Sequence, residues 1–382
     1  MKVLAVAVPA AGHVNPLLPL VEALIAQGDQ VCFACGEDPG GAIARSGAEY
    51  LQAGSTEMEC FDVLRSRVRG FPGDGLAPER INHYFVPRLF ADIAATDMID
   101  DVVEIGGTFA PDLILFETYA FAAPLAAEVL GARAVHHLIS PMLPHEVMEL
   151  ANDAVSPLWR SFGHDAPGWG GVYNGLTIEV SPPALEPLAV PAGESVRLRP
   201  VPLPLRPQEL SHPPVVYVTL GTFFGGNSGV FRTVLEALEE EDLEIVVTVG
   251  ANNDPDVLGP VRGNVRVERY VPQAELLPRC SVVVHHGGSG TMFGALAHGL
   301  PQVVLPQGAD NFVNGALIER CGAGLPILPG SMGPAEVRRC VRAMLDDPSF
   351  SGNAKNIGVE LASMAGPDDV AGLLAARFRS SA

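Results

Sequence analysis

Apolar residues in this chain fall into short unbroken runs separated by stretches with helical spacing. Residues 3–8 (VLAVAV) read as a buried strand, residues 14–26 as a helix closed by Gly28, and residues 30–34 as a second strand. A short helix over 42–46 and a strand ending at Tyr50-Leu51 follow. Residues 53–76 mix glycine, proline and charges with weak periodicity and read as a long loop, of the kind that often carries function. Residues 78–105 read as helix interrupted at Pro87, 111–117 as a strand, 120–130 as a helix closed by Gly131, and 134–138 as another strand. Prolines then become dense, and a semi-rigid linker is placed at 200–214. Beyond it the alternation restarts, with strands over 215–219, 244–249, 265–269, 282–286, 302–305 and 324–327, and helices over 228–239 and 310–321. From Pro334 onward every signal is helical. Alternation of this kind predicts an α/β fold built from two parallel, doubly wound domains, 1–199 and 215–365, with a final helix over 366–382.

A length of 382 residues suits two domains that each bury a core. No apolar run is long enough to span a membrane, and the first run lacks a cleavage pattern, so it reads as a strand and not as a leader. The net charge of -20 argues against a nucleic-acid partner, which needs clustered Lys and Arg. The six cysteines are scattered, and Cys32 and Cys35 sit inside a strand-like run. They read as buried reduced thiols, and a cytoplasmic location is expected.

Ligands of doubly wound sheets bind at the carboxyl ends of the strands. In the first half those ends carry Pro9-Ala10-Ala11-Gly12-His13 and Glu117; in the second they carry Leu220-Gly221-Thr222, residues 286–291 and residues 306–311. The run Val282-Val283-Val284-His285-His286 passes through Gly287-Gly288-Ser289-Gly290-Thr291 into an Ala-rich helix. Free N–H groups at a helix start, its positive dipole end and the close approach that glycine permits make a pyrophosphate cradle. His286, Ser289 and Thr291 add side-chain donors, while His285 should point the other way and pack. Gly288-x-Gly290 lacks a third glycine at dinucleotide spacing, and no phosphate-loop GxxxxGK[ST] occurs. Asp254-Pro255-Asp256 mimics a metal-binding DxD but reads as a solvated turn, so no metal is expected.

Gly12-His13-Val14-Asn15-Pro16, Val271-Pro272-Gln273, the His285-to-glycine run and Gln307-Gly308-Ala309-Asp310-Asn311 together resemble the family-one glycosyltransferases. The resemblance is nearest to the bacterial enzymes that glycosylate macrolides, aromatic polyketides and other antibiotics, and it covers essentially the whole chain. It implies the GT-B fold, two Rossmann-like domains facing across a cleft, with the C-terminal helix crossing back onto the first domain. It further implies inverting, metal-independent transfer from a nucleoside-diphosphate sugar, with no cofactor. His13 matches the general base. It precedes a predicted helix whose N-terminus would disfavour imidazolium; the competing reading is that it only caps that helix. Glu117 stands where relatives carry the aspartate that orients the base, as a direct partner, a water-bridged partner or a strand-end charge. Thr222 matches a β-phosphate contact, and His286, Gly288, Ser289, Gly290 and Thr291 match the pyrophosphate binders. Val271 matches a backbone contact to the base. Asp310 and Asn311, with Gln307 close by, match the sugar-hydroxyl contacts, although Asp310 could equally cap its helix. Gly294 replaces a ribose-binding glutamate of plant relatives, which favours a dTDP-sugar over a UDP-sugar. The acceptor is expected to be a hydrophobic aglycone held by Met58, Phe61, Phe71, Tyr84, Phe85 and Met142, and a homodimer is compatible with the pattern. The alternatives are a catalytically silent nucleotide-sugar-binding or partner protein and, disfavoured by the paired motifs, a nucleotide-sugar epimerase.

Overall fold

The computed structural model describes residues 1–68, 80–185, 193–202, 212–221, 225–251 and 253–379. Thr222 and Phe71 therefore lie outside the described residues, as does most of the proline-rich linker. The chain divides into two compact units, one of residues 1–180, 188–198 and 365–382, the other of residues 181–187 and 199–364.

In the first unit β1 (Lys2–Val6), β2 (Gln30–Cys35), β3 (Glu49–Gln52), β4 (Leu113–Glu117), β5 (Arg133–His137), β6 (Leu176–Glu179) and β7 (Ser195–Arg197) form a parallel sheet in the order β3-β2-β1-β4-β5-β6-β7. In the second, β8 (Val215–Thr219), β9 (Glu244–Thr248), β10 (Val265–Glu268), β11 (Val282–His285), β12 (Gln302–Val304) and β13 (Gly324–Pro326) are parallel in the order β10-β9-β8-β11-β12-β13. Both sheets are buried on both faces. Leu4, Val6, Ile114 and Phe116 pack into one cluster and Val3, Ala5, Leu113 and Leu115 into another; Val218 and Val284 are likewise separated from Tyr217 and Val283. Double burial is why these strands read as unbroken apolar runs and not as alternating ones.

Each sheet reverses its strand order once, between β1 and β4 and between β8 and β11, and the crevice at such a reversal is where ligands enter. Within each unit the motifs at these strand ends are thereby set side by side.

Several elements depart from the sequence reading. Residues expected to form a loop contain the helix Glu57–Arg67, started by a capping box of Thr56 and Glu59. The helix expected over 14–26 is two, Ala11–Val14 and Leu18–Ala26, because Pro16 and Pro19 have no N–H to continue the ladder. Pro87 does not interrupt its helix. It opens a π-helical stretch, Val86–Ala94, which continues directly into Ala95–Phe109. The helix His145–Ser161 and the strands β6 and β7 have no counterpart in the sequence reading. The last helix, Pro367–Phe378, lies in the first unit beside Leu18–Ala26. There Gln27 Nε2 donates to Asp368 O at 2.8 Å and Arg379 pairs with Asp29 at 2.7 Å. Among the described residues no helix is long and apolar enough to cross a membrane.

Candidate active site

At the first reversal the end of β4 delivers Glu117, which is fully buried. Its Oε1 accepts from Val8 N–H at 3.2 Å, and its Oε2 accepts from Tyr119 N–H at 2.8 Å. His13 Nδ1 stands 3.2 Å from the same Oε2, and the imidazole stays partly exposed. An ionised carboxylate only accepts, so Nδ1 carries the proton and Nε2 keeps its lone pair. The extra methylene of glutamate is taken up by these backbone anchors, and contact with His13 is direct, without a bridging water. His13 is the third residue of the helix Ala11–Val14, inside it and not ahead of it. The expected helix-dipole argument for its neutrality therefore does not hold, and the carboxylate sets its tautomer instead. Tyr119 meets the ring edge-on at 4.9 Å between centroids and Phe90 at 5.6 Å, so His13 is walled by aromatic carbon on two sides.

An apolar pocket adjoins this pair, lined by Val8, Pro9, Ala10, Glu57, Cys60, Leu89, Phe90 and Ala94. Among the described residues, none of the expected acceptor residues Met58, Phe61, Tyr84, Phe85 and Met142 lines it. Met58 is exposed on the far side of its helix turn, and Met142 is buried in the core. Phe61, Tyr84 and Phe85 pack edge-to-face with one another against that core. The sequence reading chose large apolar residues from the 53–90 region and from the stretch after the 134–138 strand. Of these, Phe61, Tyr84, Phe85 and Met142 pack into or against the core, and the pocket is lined by residues 8–10, by Glu57 and Cys60 and by the π-helix.

At the second reversal β11 ends in two histidines with opposite tasks. His285 is buried, donates from Nε2 to Gln302 Oε1 at 2.7 Å and accepts at Nδ1 from Gly287 N–H at 3.1 Å. Burial holds it down to about 4, so it is a neutral structural post for the glycine turn. Burial and the neighbouring His285 hold His286 down to about 3, so it too is neutral and able to donate one hydrogen bond. Its ring is gripped by glycines: a Cβ on Gly221 or on Gly288 would each come within 2.5 Å of it. Gly287, at φ 100°, makes the turn itself, a conformation side chains resist. Gly288 then starts the helix Ser289–Ala297 with no side-chain cap and no acidic residue in its first turn, so the leading N–H groups stay available to an anion.

Around this start the polar side chains are cross-linked. Ser289 Oγ donates to Asp310 Oδ2 at 2.8 Å, and Asn314 Nδ2 reaches Gly287 O, Ser289 Oγ and Asp310 Oδ2 at 2.7, 3.0 and 3.0 Å. Asn311 Oδ1 accepts from Gln307 and Gly308 N–H, holding the 307–311 loop, in which Ala309 takes a left-handed φ of 50°. Gln273 Nε2 donates to Thr291 Oγ1 at 3.0 Å. Gln307 is committed to its own loop, donating to Leu305 O and Pro306 O and accepting from Asn227. Asp310 does not cap its helix through its side chain. Val271 is half-buried beside the exposed Tyr270. Asp254 Oδ1 accepts from Asp256 N–H within a tight turn. Asn314 escaped the sequence reading of the site, and Gln273 entered it only as part of the Val271-Pro272-Gln273 motif; the available signal for Asn314 was an amide four residues after Asp310 on a helix.

Residues 232–376 match the family model for the C-terminal domain of erythromycin biosynthesis protein CIII-like proteins. The aclacinomycin-T 2-deoxy-L-fucose transferase of Streptomyces galilaeus is 30% identical over 425 residues, covering 98% of this chain and 95% of its own length. The TDP-daunosamine transferase DnrS of Streptomyces peucetius is 30% identical over 414 residues, covering 97% and 95%. Among solved structures, the Streptomyces sp. SF2575 glycosyltransferase SsfS6 complexed with thymidine diphosphate matches with a TM-score of 0.78 at 25% identity, covering 98% of this chain and 99% of that one.

Proposed function

This chain belongs to the family-one GT-B natural-product glycosyltransferases, and from that premise we propose that it moves a deoxysugar from a dTDP-sugar to a hydroxyl of an apolar aglycone, with inversion. The observation that carries the reading is the His13–Glu117 pair: a partly exposed imidazole whose Nδ1 is held by a buried, backbone-anchored carboxylate. His13 Nε2 takes the acceptor proton as the acceptor oxygen bonds the anomeric carbon. The bond from that carbon to the diphosphate breaks, and its electron pair leaves with the diphosphate. Glu117 stabilises the imidazolium so formed, as a carboxylate does in a triad. The developing charge on the leaving group falls to the N–H groups at Ser289, Gly290 and Thr291 and to His286, preorganised donors of the kind that contribute most to such steps, with Thr222 as a β-phosphate contact by its motif. Asp310 and Asn311 receive sugar hydroxyls.

For the nucleotide, the names of the two relatives, a 2-deoxy-L-fucose transferase and a TDP-daunosamine transferase, support a dTDP-deoxysugar. Packing supports it too. A Cβ at Gly294 would lie 3.2 Å from Leu277 and 3.3 Å from Gln273, leaving little room for a ribose-binding carboxylate. A catalytically silent reading is disfavoured by the engaged Glu117. The test is incubation with dTDP-deoxysugars and a panel of polyketide and macrolide aglycones, scored for free dTDP, product mass and anomeric configuration. Glycosylated product of inverted configuration is expected; donor binding without turnover across the panel would favour the silent protein.

A further inference from the structure

Glu57, the first residue of its helix, suits the dipole there but takes no part in the cap. Capping there belongs to Thr56 and Glu59, which exchange bonds of 3.4 and 2.9 Å, while Arg65 pairs with Asp62 and Arg67 with Asp92. The Glu57 N–H donates to Glu37 Oε1 at 3.4 Å, but among the described contacts the Glu57 carboxylate accepts no hydrogen bond. It is half-buried and supplies the one charged side chain of an otherwise apolar pocket. Phe90 both lines that pocket and lies against the His13 ring, so the pocket and the base share a wall. Burial pushes the Glu57 carboxyl above its usual range; a protonated His13 works against that rise and Glu37 adds to it. A carboxylate drawn out of water without a donor is costly, and a ligand that supplies one recovers the cost.

We propose that Glu57 is a specificity-determining residue of the acceptor pocket, accepting a hydrogen bond from a second hydroxyl next to the one that His13 deprotonates. This deepens the acceptor half of the function proposed above and rests on it. The partner is a hydroxyl and not an ammonium, because His13 gains positive charge during transfer and a fixed cation in the same pocket would oppose it. The pocket, of about 20 Å³, takes the hydroxyl and not the ring that bears it; Leu89, Phe90 and Ala94 make its apolar wall.

The probes are alizarin, an anthraquinone with two adjacent hydroxyls, and its counterpart lacking one of them. Their affinities are measured by calorimetry for the wild type, Glu57→Ala, Glu57→Gln and His13→Ala, with dTDP affinity as the check on folding. The wild type should prefer the diol by about tenfold, the worth of one hydrogen bond to a charged group. Glu57→Ala should erase the preference with dTDP binding intact, and Glu57→Gln, whose amide oxygen still accepts, should keep part of it. Equal affinity of the wild type for both probes, or a full preference retained in Glu57→Ala, overturns the proposal. His13→Ala should keep the diol preference while losing transfer, so failure of the base assignment shows in the transfer assay and failure of the Glu57 assignment in the affinities.

Discussion

His13 is held by a carboxylate whose two oxygens already accept from Val8 and Tyr119 N–H. That arrangement makes Glu117→Gln informative. A neutral amide offers one acceptor, so its NH2 must face a backbone N–H or the His13 Nδ1–H. The variant should lose about 1–3 kcal/mol of stability, the usual cost of an unsatisfied buried group. Its turnover should also fall, but less than that of His13→Ala, since the base itself remains. Thermal denaturation with steady-state kinetics checks both; unchanged stability would mean that the carboxylate is not anchored as described. The strand-end positions of His13 and Glu117 are legible in the sequence because apolar runs end at them. Their contact is not, because the reach of a glutamate depends on where the chain bends after β1. Phe90 and Glu57 were illegible for a similar reason: one needs the widened π-helical register to face His13, and the other sits on a helix whose mixed, charged face hides its period.

Strand-to-helix turns are the elements on which the site depends, and the one after β11 is the most tightly specified. His285 fixes Gly287, Asn314 holds the Gly287 carbonyl, and Gly288 leaves room for the His286 ring. Gly288→Ala would drive a methyl into that ring and displace it from the helix start. The expected result is a loss of dTDP affinity of about tenfold or more with little change in acceptor affinity, measured by calorimetry. Unaltered dTDP binding would show that His286 is not a phosphate contact. The sheets were readable from sequence because doubly buried parallel strands are continuous apolar runs. The short strands β6 and β7 flank a proline-rich region and carry no such run, and the helix Glu57–Arg67 lacked a clean apolar stripe.

Over the whole molecule, burial holds four histidines well below their usual range: His136 and His286 at about 3, His137 and His285 at about 4. Each is neutral when folded and takes up a proton on unfolding once the pH drops below the ordinary histidine value of about 6.5. Stability should therefore be level above that pH and fall on acidification down to about pH 3–4, by up to about 1.4 kcal/mol per pH unit for each histidine. Denaturant titrations from neutral to acid pH, with proton uptake on unfolding, check this; constant stability between pH 7 and 5 would contradict it. The account as a whole turns on transfer with His13 as the base, and the most direct measurement is the single-turnover rate of His13→Ala at saturating donor and acceptor, beside its affinity for dTDP. The predicted result is a rate lower by at least about a hundredfold with dTDP affinity unchanged. A variant that turned over at the wild-type rate would contradict it.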